Sequence, residues 1–98
     1  MIESFADDAT NDVFDGFNTK KARKRLDTAL FPVASRKLDM INAALDLEDL
    51  KIPPSNHLEA LKGNLKGKHS IRINVKYRIV FRWTAKGAEE VEITDYHK

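Results

Sequence analysis

The second half of the sequence contains polar residues of the kinds that cleave a phosphodiester by proton transfer. Arg72 and Arg78 alternate with apolar residues within residues 69–83. Asp95, Tyr96 and His97 lie together near the end of the sequence. Imidazole, the side chain of His97, is the best general acid or base among these types, while carboxylate and phenol can orient it or share the proton work. Arginine holds phosphate in a planar fork, and one positioned donor can stabilise a transition state by about 3–4 kcal/mol. This set could cleave RNA without a metal, through attack of the 2′-hydroxyl on the adjacent phosphate.

Each of these residues also has a plainer interpretation. Arg72 and Arg78 could be ordinary surface cations, and a terminal Asp-Tyr-His sequence could be a solvated end, because termini are often poorly ordered. His57 and His69 are isolated in sequence and are predicted to lie in a loop and on a strand surface, respectively. The chemical interpretation therefore depends on the elements that position the charged groups.

A β-hairpin is predicted over residues 69–83, where every second residue from 71 to 83, including Val75, is apolar. A three-residue turn at 74–76 keeps all the apolar residues on one face. The same register sets Arg72 directly opposite Arg78 on the other face. Like charges so placed disfavour pairing by roughly 0.2–1 kcal/mol, which suggests that an anion binds between them.

Positive charge is unevenly distributed along the chain. Residues 1–50 contain seven Lys and Arg against ten Asp and Glu, whereas residues 51–98 contain ten against five. Residues 62–82 include no acidic residue, and residues 20–25 form a second basic run. This distribution predicts an anion-binding surface, and the candidate RNA-contacting residues are Arg72, Lys62, Lys66, Lys68, Lys76, Lys20, Lys21, Arg23, Lys24 and Arg25. By itself, the run at 20–25 is more typical of a solvated helix face or a connector.

The first elements follow from local patterns. Weak alternation over residues 1–5 predicts a short first strand. Asp7 or Asp8 is suited to cap a helix that continues to about Phe14, and Gly16 is suited to end it.

A longer helix is predicted from Pro32 to Leu45 or Leu47. Proline suits the first turn of a helix, and the apolar residues that follow recur at intervals of three and four. On this pattern Leu45 lies on the buried stripe, whereas Arg36 and Lys37 face solvent.

A short strand near residues 58–62 and a last strand at 90–94 complete the set. The chain is therefore predicted to be one α+β domain over residues 1–98, with an N-terminal strand and two helices packed on a mainly antiparallel sheet of four to five strands.

Composition excludes several classes of protein. The chain has 98 residues, of which 42% are hydrophobic and 33% charged, and it has no cysteine, so disulfides and thiolate metal sites are unavailable. Glycine-rich phosphate loops, nucleophile elbows and histidine pairs at metal spacing are also missing from the sequence. We expect no cofactor or metal. No signal peptide or membrane-length apolar run is evident, which predicts a cytoplasmic protein.

The sequence resembles the HigB-type toxins of bacterial toxin–antitoxin systems, within the RelE-like superfamily. The resemblance is carried by residues 1–5, 36–40, 53–63, 69–74, 77–79 and 91–97. It implies a RelE-like fold and a metal-independent endoribonuclease that cuts mRNA in the ribosomal A site. It also implies neutralisation by a helix-turn-helix, HigA-like antitoxin. The toxin would contact operator DNA only indirectly, through this antitoxin.

The resemblance assigns catalytic roles to Arg78 and to the ending Asp95, Tyr96 and His97. One position departs from the family pattern. Some members have a catalytic histidine two residues before a Leu-Lys-Gly sequence, where this chain has Glu59, and its nearby histidine is His57. Glu59 could take the role of base, His57 could reach in from the loop, or the activity could be weak.

Two other functions fit the same family. One is a non-catalytic toxin that binds a protein such as DNA gyrase, since a fold can be kept while its chemistry is lost. The other is a non-cleaving RNA- or antitoxin-binding module that acts as a transcriptional co-repressor. The first predicts that substituting Arg78 or His97 leaves toxicity intact, and the ending Asp95, Tyr96 and His97 speaks against it. The second predicts RNA binding without cleavage, even on translating ribosomes.

Overall fold

A computed structural model describes residues 1–95 of the chain. The helices are α1 (Asp8–Asp15), α2 (Lys20–Arg25) and α3 (Phe31–Ala43), and the strands are β1 (Glu59–Ala60), β2 (His69–Arg72), β3 (Tyr77–Thr84) and β4 (Gly87–Asp95). The four strands form an antiparallel sheet in the order β1-β2-β3-β4. The predicted α+β class is confirmed, with the additional short helix α2.

The predicted register of the β2–β3 hairpin is confirmed. Arg72 lies opposite Arg78, and the amide of Ile73 donates to the carbonyl of Tyr77 at 2.9 Å across the turn. Val75 is an exception to the apolar pattern because it lies in the turn, where the residue is 84% exposed. One face of the hairpin is thus apolar and packed, and the other carries both arginines.

Residues 1–5 pair with β4 but do not form a regular strand. Ile2 and Phe5 make isolated parallel bridges to Ala88 and Val91. Between these bridges β4 is irregular: Glu90 adopts a left-handed conformation (φ 52°), and its amide donates to the Ser4 hydroxyl at 2.9 Å. The predicted first strand is therefore correct in place, but a bulge in its partner interrupts the ladder.

The ends of α1 follow its sequence. The side chain of Asp7 accepts a hydrogen bond from the amide of Thr10 at 2.7 Å, as an N-cap does. Gly16 ends the helix in a left-handed conformation with φ 81°, which glycine adopts at little cost. Both boundaries were predicted.

Helix α3 buries a different face from the one predicted. It ends at Ala43, because Ala44 is extended, and Leu45 is consequently 92% exposed. Lys37, predicted to face solvent, is only 5% exposed. Buried positions 34, 37, 38 and 41 follow helical spacing, so Lys37 lies within the stripe that contacts the sheet.

The helices pack on one face of the sheet around a single hydrophobic core. The largest fully buried side chains of this core are Phe81, Leu26, Leu38, Ile41, Leu50, Ile71, Ile79, Ile93 and Val91. On the opposite face, Ser70 and Val80 are also buried, so this face is only partly open to solvent. Within the described residues, no helix has the length and apolar character needed to cross a membrane.

Candidate functional site

Arg78 is the most firmly held charged group on the open face of the sheet. Its Nε donates to Ser70 Oγ at 2.8 Å, and its Nη2 donates to the backbone carbonyl of His57 at 2.6 Å. Nη2 also lies 3.6 Å from Glu59 Oε1, and the Arg78 side chain is 12% exposed. Two hydrogen-bond acceptors and one nearby carboxylate therefore orient a guanidinium that is largely, but not fully, buried.

Strand register explains why these groups meet. Glu59 pairs with Ser70 across β1 and β2, and Arg72 pairs with Arg78 across β2 and β3. Cross-strand partners, and residues two apart on one strand, point to the same face of a sheet. The serine, the glutamate and both arginines consequently share one face.

His57 reaches this face from a connecting loop. It follows the 3-10 turn Pro54–Asn56 and adopts a left-handed conformation with φ 46°. Asn56 is fully buried, and its Nδ2 donates to the carbonyl of Leu50 at 3.1 Å. Asn56 thus ties the loop to the body of the protein and fixes the His57 carbonyl near Arg78.

Together these elements surround a pocket of about 320 Å³. It is lined by His57, Glu59, Arg72, Asn74, Val75 and Arg78. The pocket brings together two arginines, one glutamate and one histidine. This arrangement can hold a phosphate and place a proton acceptor next to it.

A second pocket, of about 300 Å³, adjoins the first. It is lined by Val33, Arg36, Lys37, Ser55, His57, Arg72, Ile73 and Asn74, three of which also line the first pocket. Burial lowers the pKa of Lys37, and the neighbouring charge of Arg36 lowers it further. Sequence analysis missed Lys37, although its spacing from Ala34 and Ile41 places it on the buried stripe.

Of the three residues near the C-terminus that were predicted to belong to the site, only Asp95 is among the described residues. Asp95 lies opposite Tyr77, and its Oδ2 is 3.9 Å from Lys76 Nζ. By register Asp95 shares a face with Ile93, whereas Arg78 lies opposite Thr94 on the other face. Asp95 is therefore not among the residues that line the Arg78 pocket. Tyr96 and His97 lie outside the described residues.

Several cations of residues 20–25 make contacts within the fold. Arg25 Nη1 donates to Asp7 Oδ2 at 2.7 Å and to the carbonyl of Ile93 at 2.6 Å. Lys21 Nζ donates to Asp8 Oδ2 at 3.0 Å, and this hydrogen bond raises the pKa of Lys21. The exposed cations of this run also include Lys20, Arg23 and Lys24. Arg25 thus links α1, α2 and β4.

The remaining predicted cations lie around the sheet. Lys68 Nζ is 3.9 Å from Glu90 Oε2. Lys76 Nζ lies over the ring of Tyr77, 5.3 Å from its centroid. Lys62 and Lys66 are exposed on either side of the 3-10 turn Gly63–Leu65. Of the ten candidate RNA-contacting residues, only Arg72 lines the Arg78 pocket.

Comparison with known proteins gives a family match over nearly the whole chain. A model of the HigB-like toxins, described as the RelE-like toxin HigB of type II toxin–antitoxin systems, matches residues 3–97.

Two relatives match part of the chain. Toxin HigB-1 of Vibrio cholerae serotype O1 is 50% identical over 58 residues, which cover 59% of this chain and 57% of the relative. An uncharacterized protein of Haemophilus influenzae is 41% identical over 59 residues, covering 60% and 58% respectively. Each alignment thus spans less than two thirds of the relative's length.

Proposed function

The chain belongs to the HigB-like family of RelE-like toxins of type II toxin–antitoxin systems, and we propose that it is a ribosome-dependent mRNA endoribonuclease. The observation that carries the proposal is the setting of Arg78. Its guanidinium is fixed by Ser70 and the His57 carbonyl, lies opposite Arg72, and is 3.6 Å from the Glu59 carboxylate. A phosphate-binding group and a proton acceptor therefore lie in one pocket.

The proposed reaction is attack by the RNA 2′-hydroxyl on the adjacent phosphorus. The bond from phosphorus to the 5′ oxygen breaks, leaving a 2′,3′-cyclic phosphate and a free 5′-hydroxyl. A general base takes the proton of the attacking hydroxyl, and a general acid gives one to the departing oxygen. No oxidant, reductant or hydrolytic water enters this step.

Glu59 is the proposed base, because its carboxylate lies beside the arginine that would hold the phosphate. His57 lines the same pocket, but its hydrogen bond with Arg78 is made by the backbone carbonyl. Tyr96 and His97 are the proposed proton donors, and Asp95 is proposed to orient them. These last three roles rest on the family resemblance.

Arg78 is proposed to stabilise negative charge that develops on the phosphoryl oxygens. Because its acceptors already hold the guanidinium, little reorganisation is needed when the charge appears, and such preorganised donors contribute about 3–4 kcal/mol. Arg72, on the paired strand, would share this charge. The electrostatic cost of pairing two arginines is then offset when a phosphate lies between them.

The test is mRNA cleavage on programmed ribosomes. We expect wild-type protein to cut mRNA and Arg78→Ala to lose at least about 100-fold in rate, since it removes the main phosphate donor. Lys86→Ala is the control, because this cation is exposed in the turn between β3 and β4 and is not among the candidate RNA-contacting residues. Circular dichroism confirms that each variant folds.

Three results would contradict the proposal. They are no cutting by the wild-type protein, equal losses in Arg78→Ala and Lys86→Ala, or toxicity that survives Arg78→Ala and His97→Ala intact. The last result would favour inhibition of a protein target such as DNA gyrase. RNA binding without cleavage on translating ribosomes would instead favour a co-repressor.

Membership of a type II family implies an antitoxin partner. We propose that this partner is a HigA-like helix-turn-helix protein, and that it covers the basic face or blocks access to the ribosome. Adding it should abolish cutting, and a complex that cuts mRNA at the full rate would contradict this mode of inactivation.

A further inference from the structure

Lys37 is a buried cation without a counter-ion among the described residues. Its Nζ donates to the buried Asn56 Oδ1, and no carboxylate of residues 1–95 lies within 4.0 Å of it. The charged groups around it on α3 and β2 are Arg36 and Arg72, both positive. Buried charges in proteins are usually paired, because removing an ammonium from water is costly. Within residues 1–95, the charge of Lys37 therefore has no stabilising partner unless an anion is supplied.

The ammonium also has unused hydrogen-bonding capacity. It carries three N–H donors, and one is directed to Asn56. Asn56 cannot relieve the charge, because its amide is neutral and its Nδ2 donates to the carbonyls of Leu50 and Ile52. Two donors thus have no partner within residues 1–95 and are available to a group that enters the pocket.

The pocket beside Lys37 has the character of an anion site. Besides Lys37 it is lined by Arg36, Arg72, His57, Ser55 and Asn74, with no acidic residue among its lining groups. It also adjoins the Arg78 pocket, since His57, Arg72 and Asn74 line both. A ligand bound at Arg78 can therefore extend past Arg72 towards α3.

We propose that Arg36, Lys37 and Arg72 form a second phosphate subsite, which binds the RNA backbone phosphate adjacent to the one held by Arg78. The inference rests on the proposed function for the identity of the substrate. Consecutive phosphates are the chemical repeat of RNA, and two adjoining cationic pockets that share a wall match that repeat. An incoming phosphate supplies the negative charge that Lys37 lacks.

The experiment measures binding of a short single-stranded RNA whose riboses are 2′-O-methylated, so that it has no nucleophile and cannot be cut. Fluorescence anisotropy at several salt concentrations gives the slope of log affinity against log salt. Each lost phosphate contact should reduce this slope by about 0.7 for a single strand, with similar weakening for all sequences. We therefore expect this reduction in Arg36→Gln and in Lys37→Gln.

Lys86→Gln is the matched control. Lys86 is exposed in the turn between β3 and β4, at the far end of β3 from Arg78, and its substitution should leave the slope unchanged. Lys37→Gln keeps an N–H donor but loses the charge. If burial prevents that variant from folding, Arg36→Gln tests the subsite independently, because Arg36 is exposed.

The subsite is overturned if Arg36→Gln has the same slope as Lys86→Gln, or if wild-type protein does not bind the RNA. It is also overturned if both α3 variants weaken antitoxin binding but leave the RNA slope unchanged, a result that would assign this surface to the antitoxin.

Failure of the subsite is distinguishable from failure of the nuclease function. Cutting on ribosomes with unchanged slopes would remove the subsite and keep the nuclease. Reduced slopes with no cutting would remove the nuclease and keep an RNA-binding groove.

Discussion

Glu59 has opposite effects on binding and on the proposed chemistry. Its carboxylate is 3.6 Å from Arg78 Nη2 and lines the pocket that would receive the phosphate. As a negative charge it repels a phosphate and competes for Arg78, whereas as a base it is needed for proton removal. Substitution can therefore separate the two contributions.

Glu59→Gln should tighten binding of 2′-O-methylated RNA while slowing cleavage on ribosomes by at least about 100-fold, the usual lower range for loss of a general base. His57→Gln keeps the backbone carbonyl that accepts from Arg78 and should change cleavage much less. Glu48→Gln, an exposed position, controls for general loss of negative charge. A larger decrease in cleavage rate in His57→Gln than in Glu59→Gln would assign the role of base to His57.

A contact between residues of the site could be predicted from the sequence only where the alternation of side chains along a strand determines it. The facing of Arg72 and Arg78 was predicted, because alternation fixes which face each side chain takes. The hydrogen bond from Arg78 to the His57 carbonyl was not, since it depends on the path of a loop. Lys37 was wrongly predicted to face solvent, because lysine is usually exposed, although its helical spacing from Ala34 and Ile41 places it on the buried face.

At the scale of elements, a buried hydrogen bond joins α1 to β4. The buried Thr10 Oγ1 accepts a hydrogen bond from the amide of Ile93 at 3.0 Å. This amide faces neither β3 nor solvent, so the hydroxyl takes the place of a neighbouring strand. The contact holds the helix against the strand that leads to Asp95.

Thr10→Val should lower the free energy of unfolding by about 1–3 kcal/mol, because it leaves the buried amide of Ile93 without an acceptor. Urea denaturation measures the change. Thr28→Val, at an exposed position, should cost much less than this, and equal losses in the two variants would show that the Thr10 hydroxyl contributes nothing specific.

Most elements could be predicted, and the exceptions have local causes. The cap at Asp7 and the glycine at 16 define α1 through backbone chemistry that sequence displays directly. The end of α3 at Ala43 was placed too late, because the apolar spacing continues to Leu45 although the helix does not. The pairing of residues 1–5 with β4 is interrupted by a bulge at Glu90, and no sequence pattern predicts this bulge as clearly as Asp7 and Gly16 predict the ends of α1.

At the scale of the whole molecule, one core joins helices and sheet. Its buried residues come from all three α-helices and from β2, β3 and β4. The radius of gyration is 12.3 Å, close to the approximately 13 Å typical of a 100-residue domain. We therefore propose that residues 1–98 fold as one domain.

A single domain predicts one cooperative unfolding transition. Far-ultraviolet circular dichroism, which reports the helices, and fluorescence of Trp83, which packs against the core, should give the same midpoint. Leu38→Ala should lower stability by about 2–5 kcal/mol by both probes, whereas Val75→Ala, in the exposed turn, should change it by less than about 0.5 kcal/mol. Separate midpoints for the two probes would indicate independently folding parts.

The pairing of residues 1–5 with β4 has a consequence for synthesis of the protein. Ile2 and Phe5 have their partners at Ala88 and Val91, so a nascent chain cannot complete the fold until β4 has been translated and has left the exit tunnel. Before then the core lacks β4, which contributes Ala88, Val91 and Ile93 to it. The proposed toxin would thus remain inactive while most of its own message is being read.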